Sequence, residues 1–69
     1  MIEIFKTDVE NTTQAETLLL LLGHYLPGAE INFDLEDCDR ILRVKGERFC
    51  SIYIIQILTF NGFKCQVLK

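Results

Sequence analysis

Three cysteines and one histidine are the side chains of this sequence that could bind a soft metal ion. Cys38, Cys50, Cys65 and His24 offer thiol and imidazole groups, which are ligands that suit Zn²⁺ and Cu⁺. They are widely spaced, and an odd number of distant cysteines does not form a disulfide framework. We therefore expect reduced thiols with structural roles. A displaced metal site built from these four residues remains the alternative.

We favour a structural role over metal binding for each of the three thiols, including Cys50 just before the second predicted helix. Cys65 lies in a predicted strand, where a free cysteine behaves as a small apolar residue. His24 lies in the last turn of a predicted helix, where the helix dipole stabilises an imidazolium. Cys38 lies in a predicted turn between two strands, and we expect that turn to be at the opposite end of the sheet, or offset, from the start of the first helix.

Four carboxylates form an acidic cluster at Asp34, Glu36, Asp37 and Asp39. On a strand only Asp34 and Glu36 share a face, and we expect Arg43 and Lys45 of the next strand to pair with them. A calcium loop would need a central glycine that is missing here. The cluster therefore indicates a solvated, ion-paired surface and no acid–base catalysis.

Asn11, Thr12 and Thr13 precede an apolar helix, so their backbone N–H groups could bind an anion. Asn and Thr are also favoured residues for capping a helix. The segment from Thr13 to Glu16 fits a capping box, in which a hydroxyl and a carboxylate satisfy each other's backbone donors. We predict capping as the role of this segment.

The hydrophobic pattern predicts four strands and two helices in one domain over residues 1–69. Strands are predicted over 2–9, 30–36, 41–45 and 63–68, and helices from about 11–13 to 27 and from 50 or 51 to 60. The order β-α-β-β-α-β is that of the ferredoxin-like fold. We therefore predict an α+β domain with a four-stranded antiparallel sheet and two helices on one face.

In that order and spacing, the sequence resembles the heavy-metal-associated domain family of small copper chaperones. The similar segments are Phe5-Lys6-Thr7-Asp8-Val9, the apolar positions Leu18 and Leu22, the hairpin 32–44, and Ile54, Leu58 and Gly62-Phe63. The family's Cys-x-x-Cys would fall on Asn11 and Gln14. Neutral amides are poor ligands for soft metals. The resemblance therefore implies a degenerate member that keeps the fold without the metal site.

Both helices carry more apolar side chains than one buried stripe requires. Leu20 and Leu21 widen the first stripe, and Tyr53 and Ile55 leave the second helix with almost no polar face. Contiguous exposed apolar area is typical of an interface. We name these four residues as interface candidates, for a homodimer or another protein partner that contacts the helical layer or the open sheet face.

Composition and charge argue against several classes of protein. With 49% apolar residues, the 69-residue chain is too hydrophobic to be disordered. Its net charge is −3 and its seven lysines and arginines are scattered, so we expect no nucleic-acid partner. No segment is long enough to span a membrane, and no leader is evident, so we expect a cytoplasmic protein.

These observations favour a non-enzymatic interaction or regulatory module without a cofactor. A phosphate-cleaving enzyme of this topology would need an arginine after the first strand, and the first arginine is Arg40. The alternative is metal binding or metal delivery through the displaced cysteine and histidine residues.

Overall fold

In a computed structural model that describes residues 1–68, the chain forms four strands and two helices. They are β1 (Ile2–Thr7), α1 (Thr12–Tyr25), β2 (Glu30–Asp34), β3 (Ile41–Lys45), α2 (Ser51–Phe60) and β4 (Cys65–Val67). The strands form one antiparallel sheet in the order β2-β3-β1-β4. The predicted α+β class and ferredoxin-like arrangement are confirmed. The longest helix among residues 1–68 is α1, whose 14 residues are too few to span a bilayer.

The core lies between one face of the sheet and both helices. Phe5 pairs with Leu42, which pairs with Phe33 on the next strand, so these side chains share a face. The cluster of buried apolar residues contains Phe5, Val9, Ala15, Leu18, Leu22, Leu42, Val44, Ile54, Ile57 and Leu58. Each helix therefore contributes three buried side chains, and the rest of its apolar residues are only partly covered or exposed.

Helix α2 has a sharply defined end. The backbone N–H of Phe63 donates to the Leu58 carbonyl at 3.0 Å, and that of Gly62 donates to the Thr59 carbonyl at 3.0 Å. Gly62 has φ +88°, a left-handed conformation that glycine adopts without steric cost. These are the two hydrogen bonds of the Schellman motif, so α2 stops at Phe60 as the Asn61-Gly62 sequence predicts.

The loop after β1 and the turn after β2 lie at the same end of the sheet. Both strands are antiparallel to β3, so they run in the same direction and end at the same edge. Thr7 donates its backbone N–H to the Asp39 carbonyl at 3.0 Å and its hydroxyl to the Arg40 carbonyl at 2.6 Å. The expectation that the β2–β3 turn and the start of the first helix are at opposite or offset ends is therefore wrong.

Arg40 holds these two loops together. Its guanidinium Nη1 donates to the Glu10 carbonyl at 3.0 Å and to the Val9 carbonyl at 3.5 Å. Its backbone has φ 47°, the left-handed region that non-glycine residues rarely adopt. The hydrogen bonds made by Thr7 and by the Arg40 side chain hold the residue in this conformation.

Candidate functional site

Large apolar side chains are exposed on the two helices. The exposed fractions are 80% for Leu20, 46% for Tyr25, 66% for Ile52, 40% for Tyr53 and 90% for Phe60. We call these five residues the helical surface patch. The exposure follows from the short buried stripes, because a two-layer domain covers only one side of each helix.

Two of the four interface candidates belong to this patch. Leu20 and Tyr53 are exposed, whereas Leu21 and Ile55 are half-buried against the core. Tyr25, Ile52 and Phe60 were not named from the sequence. Ile52 and Phe60 could have been predicted to be exposed from their spacing. They lie four residues before and four residues after Gln56, so all three share the helix face opposite the buried stripe.

A groove runs between the helices beside this patch. Tyr25 and Tyr53 meet edge to face across it, with ring centroids 5.8 Å apart. The groove has a volume of about 320 Å³ and is lined by Leu21, Tyr25, Tyr53, Gln56, Ile57, Phe60 and Asn61. Its lining is apolar apart from the tyrosine hydroxyls and two carboxamides, so it offers few groups for chemistry and much area for packing.

The helical layer is almost free of charge. Helix α2 contains no Asp, Glu, Lys, Arg or His, and α1 contains only Glu16 and His24. The chain as a whole has 17 acidic and basic residues, so the charges are concentrated on the sheet and the loops. A surface with exposed apolar residues and few charges favours contact with another apolar surface.

The structure does not bring the four predicted metal-ligand candidates together. Cys38 is exposed in the β2–β3 turn, and Cys65 begins β4 opposite Thr7 at the same end of the sheet. Cys50 and His24 are at the other end, before α2 and in the last turn of α1. Among residues 1–68, the only cluster of three potential metal ligands is Asp37, Cys38 and Asp39.

Acidic residues in and beside this cluster stabilise the β2–β3 turn. The Asp37 carboxylate accepts the backbone N–H of Asp39 at 2.8 Å, and Asp34 accepts that of Glu36 at 3.2 Å. Such hydrogen bonds are typical of aspartate in turns. A carboxylate oxygen of Asp39 also lies 3.6 Å from Lys6 Nζ in an ion pair.

The predicted pairing of Asp34 and Glu36 with Arg43 and Lys45 is wrong. Strand β2 ends at Asp34, so Glu36 lies outside the ladder, and the register places Asp34 opposite Ile41. Arg43 instead faces Asn32 and donates to its side-chain oxygen at 3.1 Å. Lys45 faces Glu30. The acidic residues of the turn therefore have no row of cations opposite them.

Burial makes the Cys65 thiol a poor nucleophile. It is partly buried against the core, and desolvation of the thiolate raises its pKa from 9.0 to about 12. The thiolate, which is the nucleophilic and metal-binding form of cysteine, is therefore disfavoured at Cys65 in the folded chain. The structural role predicted for Cys65 agrees with this environment.

Asn11 and Gln14 start α1. The Asn11 side-chain oxygen accepts the backbone N–H of Gln14 at 2.9 Å, and the Gln14 side-chain oxygen accepts that of Glu10 at 2.8 Å. The capping box therefore does not begin at Thr13, whose carbonyl accepts the Thr17 hydroxyl within the helix. The two positions where the resemblance would place thiols hold amides that cap the helix.

No family model, curated protein or solved structure matches this chain. The fold assignment therefore rests on the element order and the strand order.

Proposed function

We propose that this chain is a non-enzymatic ferredoxin-like domain that acts through protein contact, as a homodimer formed by its helical layer. The observation that carries the proposal is the helical surface patch, five large apolar side chains on a layer with almost no charge. In this proposal the domain is a relative of the heavy-metal-associated family that lacks the thiol pair.

The size of the surface is adequate for a dimer. A specific interface buries roughly 800 Å² on each partner, which is about one sixth of the 4722 Å² surface of this chain. The longer two dimensions of the domain are 27 and 25 Å, whose product is somewhat below that area, so a dimer would use nearly the whole of one face.

The distribution of charge favours the helical layer over the other surfaces for contact with a second copy. Two chains of net charge −3 repel each other at long range, and most of the charged residues are on the strands and the loops. The helical layer avoids this repulsion because α2 has no charge and α1 has only Glu16 and His24.

Analytical ultracentrifugation over a concentration series tests the proposal. We expect a mass of about 16 kDa at high micromolar concentration, twice the 8.0 kDa of one chain. Leu20→Ser combined with Phe60→Ser should shift the equilibrium to monomer. Ile2→Ser, a single substitution of the same kind at a 58% exposed residue of the sheet, should not. A wild-type chain that remains monomeric throughout would refute the proposal.

Metal handling is the alternative that this experiment does not address. Titration with Cu⁺ and Zn²⁺ against a competing chelator addresses it directly. We expect no stoichiometric binding, because Cys50 and His24 are at the opposite end of the sheet from Cys38. Tight stoichiometric binding that is lost in a cysteine-free variant would replace the dimer proposal with the metal one.

A further inference from the structure

The outward face of α2 is centred on Gln56. Residues three and four positions away on either side of a helical residue share its face. For Gln56 these are Ile52, Tyr53, Thr59 and Phe60, and all four are exposed, as is Gln56 itself. The residues between them, Ile54, Ile57 and Leu58, are the buried ones.

This face has the same character in both directions from its centre. Ile52 lies four residues before Gln56 and Phe60 four residues after it, and both are large, apolar and highly exposed at 66% and 90%. Tyr53 and Thr59 lie three residues away on each side, and each combines an apolar part with a hydroxyl. A helix face with this symmetry can pack against an antiparallel copy of itself, because a two-fold axis at the central residue brings each position onto its counterpart.

We propose that Gln56 lies on the two-fold axis of the homodimer, where α2 packs antiparallel against α2 of the second copy. Tyr53 and Phe60 both line the groove side of this face, whereas Ile52 and Thr59 lie on its other side. Phe60 then contacts Tyr53 of the second copy, and Ile52 contacts its Thr59. This inference rests on the proposed function and specifies which part of the helical layer forms the centre of the interface.

The chemistry of Gln56 suits a position on the axis. A carboxamide has both donors and an acceptor, so two glutamine side chains related by a two-fold axis can donate to and accept from each other. A charged residue there would face a like charge. Gln56 also lines the groove with Tyr25 and Tyr53, so the contact continues from α2 across to α1.

The test is a pair of opposite charges at residue 56. A charge of either sign on a two-fold axis meets itself, so Gln56→Glu and Gln56→Lys should each weaken the dimer by about a hundredfold. An equimolar mixture of the two variants should restore the dimer as a heterodimer, because the axis position then holds opposite charges. Gln66→Glu and Gln66→Lys are matched controls at an exposed residue of β4, and both should dimerise like the wild type.

Sedimentation of each variant and of the mixture separates the possible failures. Two monomeric single variants with dimerisation restored in the mixture support the axis position. A wild-type dimer that persists in both Gln56 variants, or a mixture that stays monomeric, overturns this inference while the proposed homodimer stands. A wild-type monomer overturns both. Circular dichroism of the exposed-site variants verifies that the fold is retained.

Discussion

The capping residues of α1 lead to a quantitative prediction about stability. Asn11→Ala removes the acceptor of the 2.9 Å hydrogen bond from the Gln14 backbone N–H. Loss of an N-cap side chain costs about 1 kcal/mol of unfolding free energy. The 2.8 Å bond from the Glu10 backbone N–H to the Gln14 side chain does not depend on the Asn11 side chain, so we expect a loss near that value and no larger.

Urea unfolding followed by circular dichroism measures this loss. All variants are compared at one low chain concentration, because the stability of a homodimer depends on concentration. A loss of about 1 kcal/mol corresponds to a fall in melting temperature of roughly 4–8 °C for a domain of this size. Asn11→Asp keeps the acceptor and places a negative charge at the helix N-terminus, so it should be at least as stable as the wild type.

Thr13→Ala is the control, because Thr13 was the cap predicted from the sequence and is exposed within the first turn of the helix. Its effect should be smaller than about 0.5 kcal/mol. If Thr13→Ala were as destabilising as Asn11→Ala, or if Asn11→Ala had no effect, the assignment of the cap to Asn11 and Gln14 would be refuted.

Three further predictions concern the loop end, the core and the thiols. Arg40→Gly should be more stable than Arg40→Ala by about 1 kcal/mol in urea unfolding. Both variants lose the guanidinium hydrogen bonds, but only alanine is strained by the left-handed backbone at φ 47°. Equal stabilities of the two variants would contradict this explanation. Leu58→Ala, at a fully buried residue, should cost on the order of 3 kcal/mol in the same assay, and a cost below about 1 kcal/mol would show that the core packs differently. Mass spectrometry after alkylation at pH 8 should count two adducts on the folded chain, at Cys38 and Cys50, and a third at Cys65 only in urea. Because the pKa of Cys65 is raised by folding from 9.0 to about 12, its contribution to stability is retained below pH 9.0 and lost as the pH rises towards 12.

The sequence predicted the elements well because their hydrophobic periods are clear. The alternation in 41–45 and the apolar run that ends at Asn61-Gly62 matched β3 and α2 closely. The exact cap of α1 was harder to assign, because Asn11 and Thr13 are both good capping residues and two starts fit the same segment. Only the backbone geometry, with Asn11 extended and Thr12 helical, distinguishes them.

Contacts between distant segments were not predictable from local patterns. The alternating charges of 30–36 and 41–45 suggested ion pairs, but the pairing depends on strand register and on where β2 ends. The link from Arg40 to the Glu10 carbonyl joins residues 30 positions apart, and no local spacing indicates it. The helical surface patch was only partly predicted. The sequence shows that the helices have an excess of apolar residues, but which of these residues are exposed depends on how each helix is rotated on the sheet.

The Schellman motif at the end of α2 has a consequence for association. The last turn of a helix commonly frays, and a frayed Phe60 would have to be ordered whenever a partner bound. Here the bonds from Gly62 and Phe63 fix the backbone of that turn before any contact is made. At Phe60, association would then restrict only the two side-chain torsions and not the backbone. The backbone that carries Phe60, the most exposed aromatic residue, is thus already ordered in the free chain. The conformational entropy that Phe60 would lose on binding is correspondingly small.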